Sequence, residues 1–146
     1  MNDGVIMLIE DNEDDVTLTM RALEQNDITN EVVVAADGEL ALNLLFPPDD
    51  GEPLVPVLIL LDINLPKVGG LEVLRTIRAH RATRMLPVVM LTTSNEERDI
   101  VESYEIGANS YVRKPVSFSE FVEATRLLGL YWLRVNELPP QQPAIA

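Results

Sequence analysis

Cysteine is absent from the chain. Disulfides and thiol chemistry are therefore excluded, which fits a cytoplasmic protein. Aromatic residues make up only 5%, and there is a single histidine, His80. His80 stands between Arg78 and Arg81 at a helix terminus, where a solvated surface role is expected rather than a catalytic one. Positive charge is also scarce, with 11 basic residues against 24 acidic ones and a net charge of -13. Nucleic-acid binders need a basic footprint, so no nucleic-acid partner is expected. The acidic surface serves solubility and names no partner by itself. No aliphatic run approaches the roughly 20 residues that cross a bilayer, and MNDGVIML lacks the basic region and long apolar core of a secretion signal. No membrane segment is expected. What remains is ordinary for one globular domain: 146 residues, 47% hydrophobic and 24% charged.

The most informative stretch is VLILLDINLP, residues 57 to 66. Val57 to Leu61 shows no polar alternation, as in a central parallel strand covered on both faces. It ends on Asp62, where open parallel sheets place their ligands, although an Asp after a strand can also simply start a turn. The same pattern recurs along the chain. GVIMLI, residues 4 to 9, reads as a first strand ending on Glu10-Asp11. A helix follows from about Asp14 to Gln25, with Val16, Met20 and Leu23 on one stripe and an acidic first turn. EVVVAA, residues 31 to 36, is a second strand, and Asp37-Gly38 leads into a helix with Leu40, Leu44 and Leu45 inward. The acidic, Pro-rich segment from Pro47 to Pro56 is an exposed loop inserted before the central strand.

After Gly69-Gly70, residues 71 to 80 form a helix with Leu71, Leu74 and Ile77 inward and basic residues on its other face. PVVML, residues 87 to 91, is a fourth strand ending on Thr92-Thr93-Ser94. Residues 95 to 106 are a helix with Ile100, Val101 and Tyr104, closed by Gly107. A short fifth strand, Ser110 to Arg113, runs into Lys114-Pro115. Ser117 to Glu120 is a capping box for the last helix, with Val116 and Phe121 placed as a hydrophobic staple.

Strand and helix thus alternate five times, an α/β doubly wound pattern with helices on both faces of a parallel sheet. In that arrangement Glu10, Asp11, Asp62, Thr92 and Lys114 converge on one crevice. Carboxylates so close repel one another unless a cation neutralises them. Hard oxygen ligands suit Mg²⁺, which accepts phosphate oxygens as further ligands. With Thr92 and Lys114 on the phosphoryl oxygens, Asp62 can attack in line to give an aspartyl phosphate.

At this point the sequence closely resembles the receiver domain of two-component response regulators. The match runs through Glu10-Asp11, Asp62-Ile63-Asn64-Leu65-Pro66 with Gly69-Gly70, Thr92, Tyr111 and Lys114-Pro115, over about residues 4 to 128. The resemblance implies a (βα)5 flavodoxin-like fold with five parallel strands in the order 2-1-3-4-5. It implies Asp62 as phosphoacceptor, and Mg²⁺ held by Asp11, Asp62 and the Asn64 carbonyl, with Glu10 acting through water. Thr92 and Lys114 would bind the phosphoryl group, and the Lys114-Pro115 peptide would commonly be cis. On phosphorylation Thr92 would move inward and Tyr111 would turn from exposed to buried; a fixed core role for Tyr111 is the alternative.

The expected domain is residues 1–134, a stand-alone receiver with an extended fifth helix, followed by an irregular tail, 135–146. The loop 47–56 and LGLYW-x-x-NELPP resemble the small regulators paired with cyanobacterial and other bacterial phytochromes. That closer resemblance implies a phytochrome-like histidine kinase as partner and a homodimer. Tyr104, Phe118, Phe121, Leu130, Tyr131, Trp132 and Leu133 are the candidate dimer face, because LLGLYWL is apolar all round. The alternative is that they fold back on their own domain. The leading function is a phosphoacceptor switch rather than an enzyme with an outside substrate. Two rivals are a phosphorylation-independent dimeric interaction module and a Mg²⁺-dependent phosphohydrolase. Such hydrolases commonly carry a second Asp two residues after the nucleophile, and here that position is Asn64.

Overall fold

The aliphatic run at the centre of the chain divides its side chains between two cores. In strand β3 (Leu58–Leu61), Ile59 and Leu61 enter the core on one face of the sheet, and Leu58 and Leu60 enter the core on the other. A strand covered on both faces has no solvent position to give to a polar residue, which is why its sequence does not alternate. Strands β1 (Ile6–Ile9) and β4 (Val88–Thr92) are buried throughout in the same way. Strands β2 (Val32–Ala35) and β5 (Ser110–Arg113) are only partly buried. The computed structural model describes residues 3–140, and all five strands pair in parallel in the order β2-β1-β3-β4-β5. This is the order expected of a flavodoxin-like fold. The chain reverses its direction of travel across the sheet between β1 and β3, so the carboxyl ends of those two strands flank the ligand crevice.

Five α-helices close the two faces: α1 (Glu13–Gln25), α2 (Gly38–Leu45), α3 (Gly70–Ala79), α4 (Glu97–Ile106) and α5 (Phe118–Leu130). Ala41 and Leu45 of α2 and Val73, Leu74 and Ile77 of α3 fill one core, while Ala22 of α1 and Phe121 of α5 fill the other. Several inward faces differ from the sequence reading. Asp37 caps α2 by accepting the Leu40 N–H at 2.7 Å, and the face this sets buries Ala41 and Leu45 while Leu40 and Leu44 stay exposed. In α1 Met20 is exposed, and Thr19, Ala22 and Leu23 are buried. In α4 the buried residue is Ser103, while Tyr104, a candidate dimer-face residue, is exposed as that role requires, and so is Val101. Ser117 caps α5 by accepting the Glu120 N–H at 3.2 Å, but Val116 is fully exposed, so no staple forms with Phe121.

Beyond α5 the chain stays helical through a π-helical segment, Tyr131–Val135, with Leu130 and Tyr131 both in helical conformation, so the fifth helix is extended. Trp132 and Leu133 thereby join Phe121 in the core beside Ile6, Leu8 and Leu60. Those three residues of the candidate dimer face are buried in their own domain, because Trp132 and Leu133 continue the inward stripe of α5 that Phe121, Thr125 and Gly129 set. Tyr104, Leu130 and Tyr131 remain exposed, and Phe118 is half-buried. Residues 136–140 have no regular structure, and residues 141–146 of the expected tail lie outside the described residues. The loop 46–57 forms neither helix nor strand, but it is tied down where the Leu54 N–H donates to the Leu44 carbonyl at 2.8 Å.

Arg78, expected on the solvated face of α3, instead holds the α3–β4 and α4–β5 loops together. Its Nε donates to the Gly107 carbonyl at 2.8 Å, and its Nη1 donates to the carbonyls of Arg84 at 3.0 Å and Leu86 at 2.8 Å. Its Nη2 donates to the Asn109 side chain at 2.9 Å. The forked guanidinium can serve these acceptors at once, and a lysine cannot. Replacing Arg78 with Ala is expected to lower unfolding stability by roughly 3 kcal/mol, with Lys recovering less than half. Urea unfolding of the two variants measures this.

Candidate phosphoryl and metal site

Each candidate side chain is delivered by a strand end whose backbone is already paired. The Glu10 N–H donates to the Ala35 carbonyl at 3.0 Å, and the Asp62 N–H donates to the Ile9 carbonyl at 3.1 Å. The Lys114 N–H donates to the Thr92 carbonyl at 2.8 Å. The scaffold of the crevice is therefore the sheet itself, which fixes these positions more firmly than loops would. Glu10, Asp62 and Thr92 are buried, and Asp11 is exposed.

The structure brings Glu10, Asp11 and Asp62 together, with one carboxylate oxygen from each lying within 4.8 Å of the others. The Lys114 ammonium lies among acids: it pairs with Glu10, with Asp15 at 3.1 Å and with Asp62 at 3.8 Å. The Asn64 N–H donates to the Asp62 carboxylate at 3.4 Å. The Thr92 hydroxyl accepts the Ser94 N–H at 3.3 Å, and the Tyr111 hydroxyl donates to the Ser94 carbonyl at 2.9 Å. Tyr111 is thus half-buried over the end of β4 rather than turned out to solvent. Among the described residues no peptide bond is cis. The Lys114-Pro115 bond is trans, in contrast to the expected cis form, and the lysine reaches its three partners from it.

Asp15 was missed in the sequence reading, where it counted only as part of an acidic first turn. It lies one turn into α1, on the helix face that also carries the buried Thr19 and Ala22, and the Thr19 hydroxyl donates to its carbonyl at 2.7 Å. The available signal was that spacing: an acid at i with buried residues at i+4 and i+7 points along the helix toward the crevice.

Electrostatics favour a cation here. Burial pushes the Glu10 carboxyl up to about 7, against the pull of its Lys114 bond and with the help of the Asp62 charge. Burial disfavours the Lys114 ammonium, but its bonds to Glu10 and Asp15 and the charge of Asp62 outweigh that and hold its pKa above the usual lysine range. Buried carboxylates crowded around one point, with a single ammonium to balance them, form a donor set that fits a divalent cation.

The direction for Glu10 gives a testable pH dependence. Between its ordinary value of 4.5 and about 7 the native protein holds a proton that the unfolded chain has released. Metal-free stability therefore falls as pH rises across that window. Urea midpoints at pH 5 and pH 8 in a chelator are expected to drop more for the parent than for Glu10→Gln. A divalent cation takes the proton's place and should remove the difference.

Comparison with known proteins agrees with this geometry. The family described as "Response regulator receiver domain" matches residues 6–126. FilR2 of Methanothrix harundinacea, a probable methanogenesis regulatory protein, is 38% identical over 92% of this chain and 87% of its own length. The response regulator Rcp1 of Synechocystis is 36% identical, covering 92% of each chain. Its Mn²⁺-bound crystal structure superposes with a TM-score of 0.85 over 92% of this chain and 98% of that one. The phosphorylated cyanobacterial phytochrome response regulator RcpA is 36% identical, with a TM-score of 0.85 over 92% of this chain and 97% of that one. Among the described residues no helix is long and apolar enough to cross a membrane.

Proposed function

Because the chain belongs to the response regulator receiver domain family, we propose that it accepts a phosphoryl group from a histidine kinase onto Asp62 and changes its binding surface in response. The observation that carries this reading is the convergence of Glu10 and Asp11 from the end of β1 and Asp62 from the end of β3 on one point beside Lys114 from the end of β5. A carboxylate oxygen of Asp62 forms the new P–O bond as the P–N bond of the donor phosphohistidine breaks, and the leaving imidazole nitrogen keeps the electron pair. Lys114 and the Thr92 hydroxyl neutralise and orient the phosphoryl oxygens. Glu10, Asp11, Asp62 and the Asn64 carbonyl would hold Mg²⁺, which when bound spreads the negative charge of the transferring group. Hydrolysis of the aspartyl phosphate by water returns the switch to rest, and no outside substrate is turned over.

The kinase is of the phytochrome type, acting in the cytoplasm. Rcp1 and RcpA, whose likeness to this chain spans nearly its whole length, support that reading. The similarity to FilR2 sets the competing assignment, a kinase unrelated to light. The chain also pairs as a homodimer through the exposed Tyr104, Leu130 and Tyr131 with the half-buried Phe118 at their edge. Such aromatic surface is the kind that interfaces use as anchors.

The experiment is intact mass after incubation with Mg²⁺ and acetyl phosphate, run beside size-exclusion chromatography. A Mg²⁺-dependent, hydroxylamine-labile gain of one phosphoryl group is expected. Absence of any gain while Mg²⁺ binds would leave the phosphorylation-independent interaction module as the better reading.

A further inference from the structure

Ser94, two residues beyond Thr92, is bonded through every polar group it has. Its N–H donates to the Thr92 hydroxyl at 3.3 Å, its carbonyl accepts from the Tyr111 hydroxyl at 2.9 Å, and its own hydroxyl donates to the Asp99 carboxylate at 2.6 Å. One residue therefore links the hydroxyl at the end of β4, the aromatic on β5 and the first turn of α4. The bond to Asp99 is the shortest of the three and is assisted by the carboxylate's charge.

Asp99 is well placed to act as the fixed end of this chain of contacts. Its backbone carbonyl accepts from the buried Ser103 hydroxyl at 2.7 Å. Ser103 is the one buried residue of α4, whose Val101 and Tyr104 are exposed. Ile106 at the other end of the helix packs against the core and, with Ser103, fixes its position. The serine hydroxyl has one other contact, a long one at 3.4 Å from the Glu96 N–H. The bond to Asp99 is thus the shorter of the two that hold Ser94, beside that of its N–H to Thr92, with its carbonyl under Tyr111.

Resting on the reading of this site as a phosphoryl switch, we propose that Asp99 is a positioning residue which, through Ser94, holds Tyr111 turned in beside Thr92 and thereby favours phosphoryl uptake at Asp62. The physical basis is linkage. An interaction that stabilises the arrangement in which the phosphoryl group is received lowers the cost of adopting it, so its loss slows uptake. Asp99 makes its hydrogen bonds to Ser94 and Ser103 and none to Asp62. Its influence passes through Ser94.

Two readouts on Asp99→Ala, Ser94→Ala, Asp99→Asn and the Ala/Ala double variant test this. The first is ¹⁹F NMR of fluorotyrosine-labelled protein, with the Tyr111 signal identified by Tyr111→Phe. The second is the rate of phosphate uptake from acetyl phosphate with Mg²⁺. Both alanine variants should move the Tyr111 signal toward its solvent-exposed position and slow uptake by about fivefold, the low end of coupling between sites. The double variant should be no worse than either single one. Asp99→Asn keeps an oxygen acceptor for Ser94 without the charge assistance and should fall between the parent and Asp99→Ala, whereas a role limited to the helix dipole would be lost entirely with the charge.

An unmoved Tyr111 signal in Asp99→Ala, or additive defects in the double variant, would overturn the proposal. If the parent itself takes up no phosphate, the functional reading fails, and the Tyr111 signal alone decides the latch. If the parent is phosphorylated and Tyr111 does not move, the latch fails and the functional reading stands.

Discussion

Asp62→Asn is expected to abolish phosphate uptake from acetyl phosphate while leaving the protein folded and more stable than the parent. The loss is complete because an amide oxygen is too weak a nucleophile to take the phosphoryl group, and no other carboxylate is placed at the end of β3. The gain in stability comes from removing one charge from the cluster. Asp62 lies within 4.8 Å of both Glu10 and Asp11 and 3.8 Å from the Lys114 ammonium. At an effective dielectric constant of about 20 each such pair is worth roughly 3–4 kcal/mol, so two repulsions outweigh one attraction. Solvent at the exposed Asp11 reduces the net gain to about 1–2 kcal/mol. Intact mass and urea unfolding measure the two halves. Residual hydroxylamine-labile phosphate on Asp62→Asn would move the acceptor to another carboxylate, and a fall in stability would mean that the contact with Lys114 outweighs both repulsions.

Gly70→Ala is expected to lower stability by about 3 kcal/mol and to slow phosphate uptake, whereas Gly69→Ala changes stability by less than about 1 kcal/mol. The two glycines differ only in what surrounds them. A methyl group on Gly70 would overlap the backbone carbonyl of Asp62 and the Cα of Ile63, so α3 could not keep its close approach to the end of β3. Backbone atoms cannot turn aside as side-chain ends can. The displacement would fall on the residue that carries the phosphoacceptor carboxylate. Gly69 is the N-cap of α3 in an ordinary extended conformation, with open space where a side chain would go. There the poor capping of Ala and the lower entropy of its unfolded chain act in opposite directions. Urea unfolding and uptake kinetics on the pair check this, and equal effects at the two positions would show that the close approach at Gly70 is not what limits the site.

The strand ends were legible because the signal is local. An aliphatic run that stops on Glu10-Asp11, Asp62 or Thr92 shows where a buried strand emerges, and parallel pairing then brings those ends to one edge. Helix faces were less legible. Leu40 and Leu44 in α2 and Met20 in α1 read as inward residues but are exposed, because a short helix can turn either of two adjacent stripes inward. The cap at Asp37 helps to fix that choice in α2. The C-terminal apolar segment was recognised as surplus to one helix face. That its inward stripe, with Trp132 and Leu133, is covered by Leu8 and Leu60 depends on a core built from the other end of the chain.

By itself the sequence determined the order of the strands and helices and the chemical set at the strand ends. Both rest on hydrophobic periodicity and on residue type, which act within a few positions of one another. Tertiary structure alone decided which partners those residues meet. Asp15 joins Lys114 across 99 positions, Arg78 reaches Gly107 across 29, and Tyr111 reaches Ser94 across 17. No local pattern encodes a contact of that kind. It exists only once the two cores have packed and fixed the distance between elements that the chain itself leaves free.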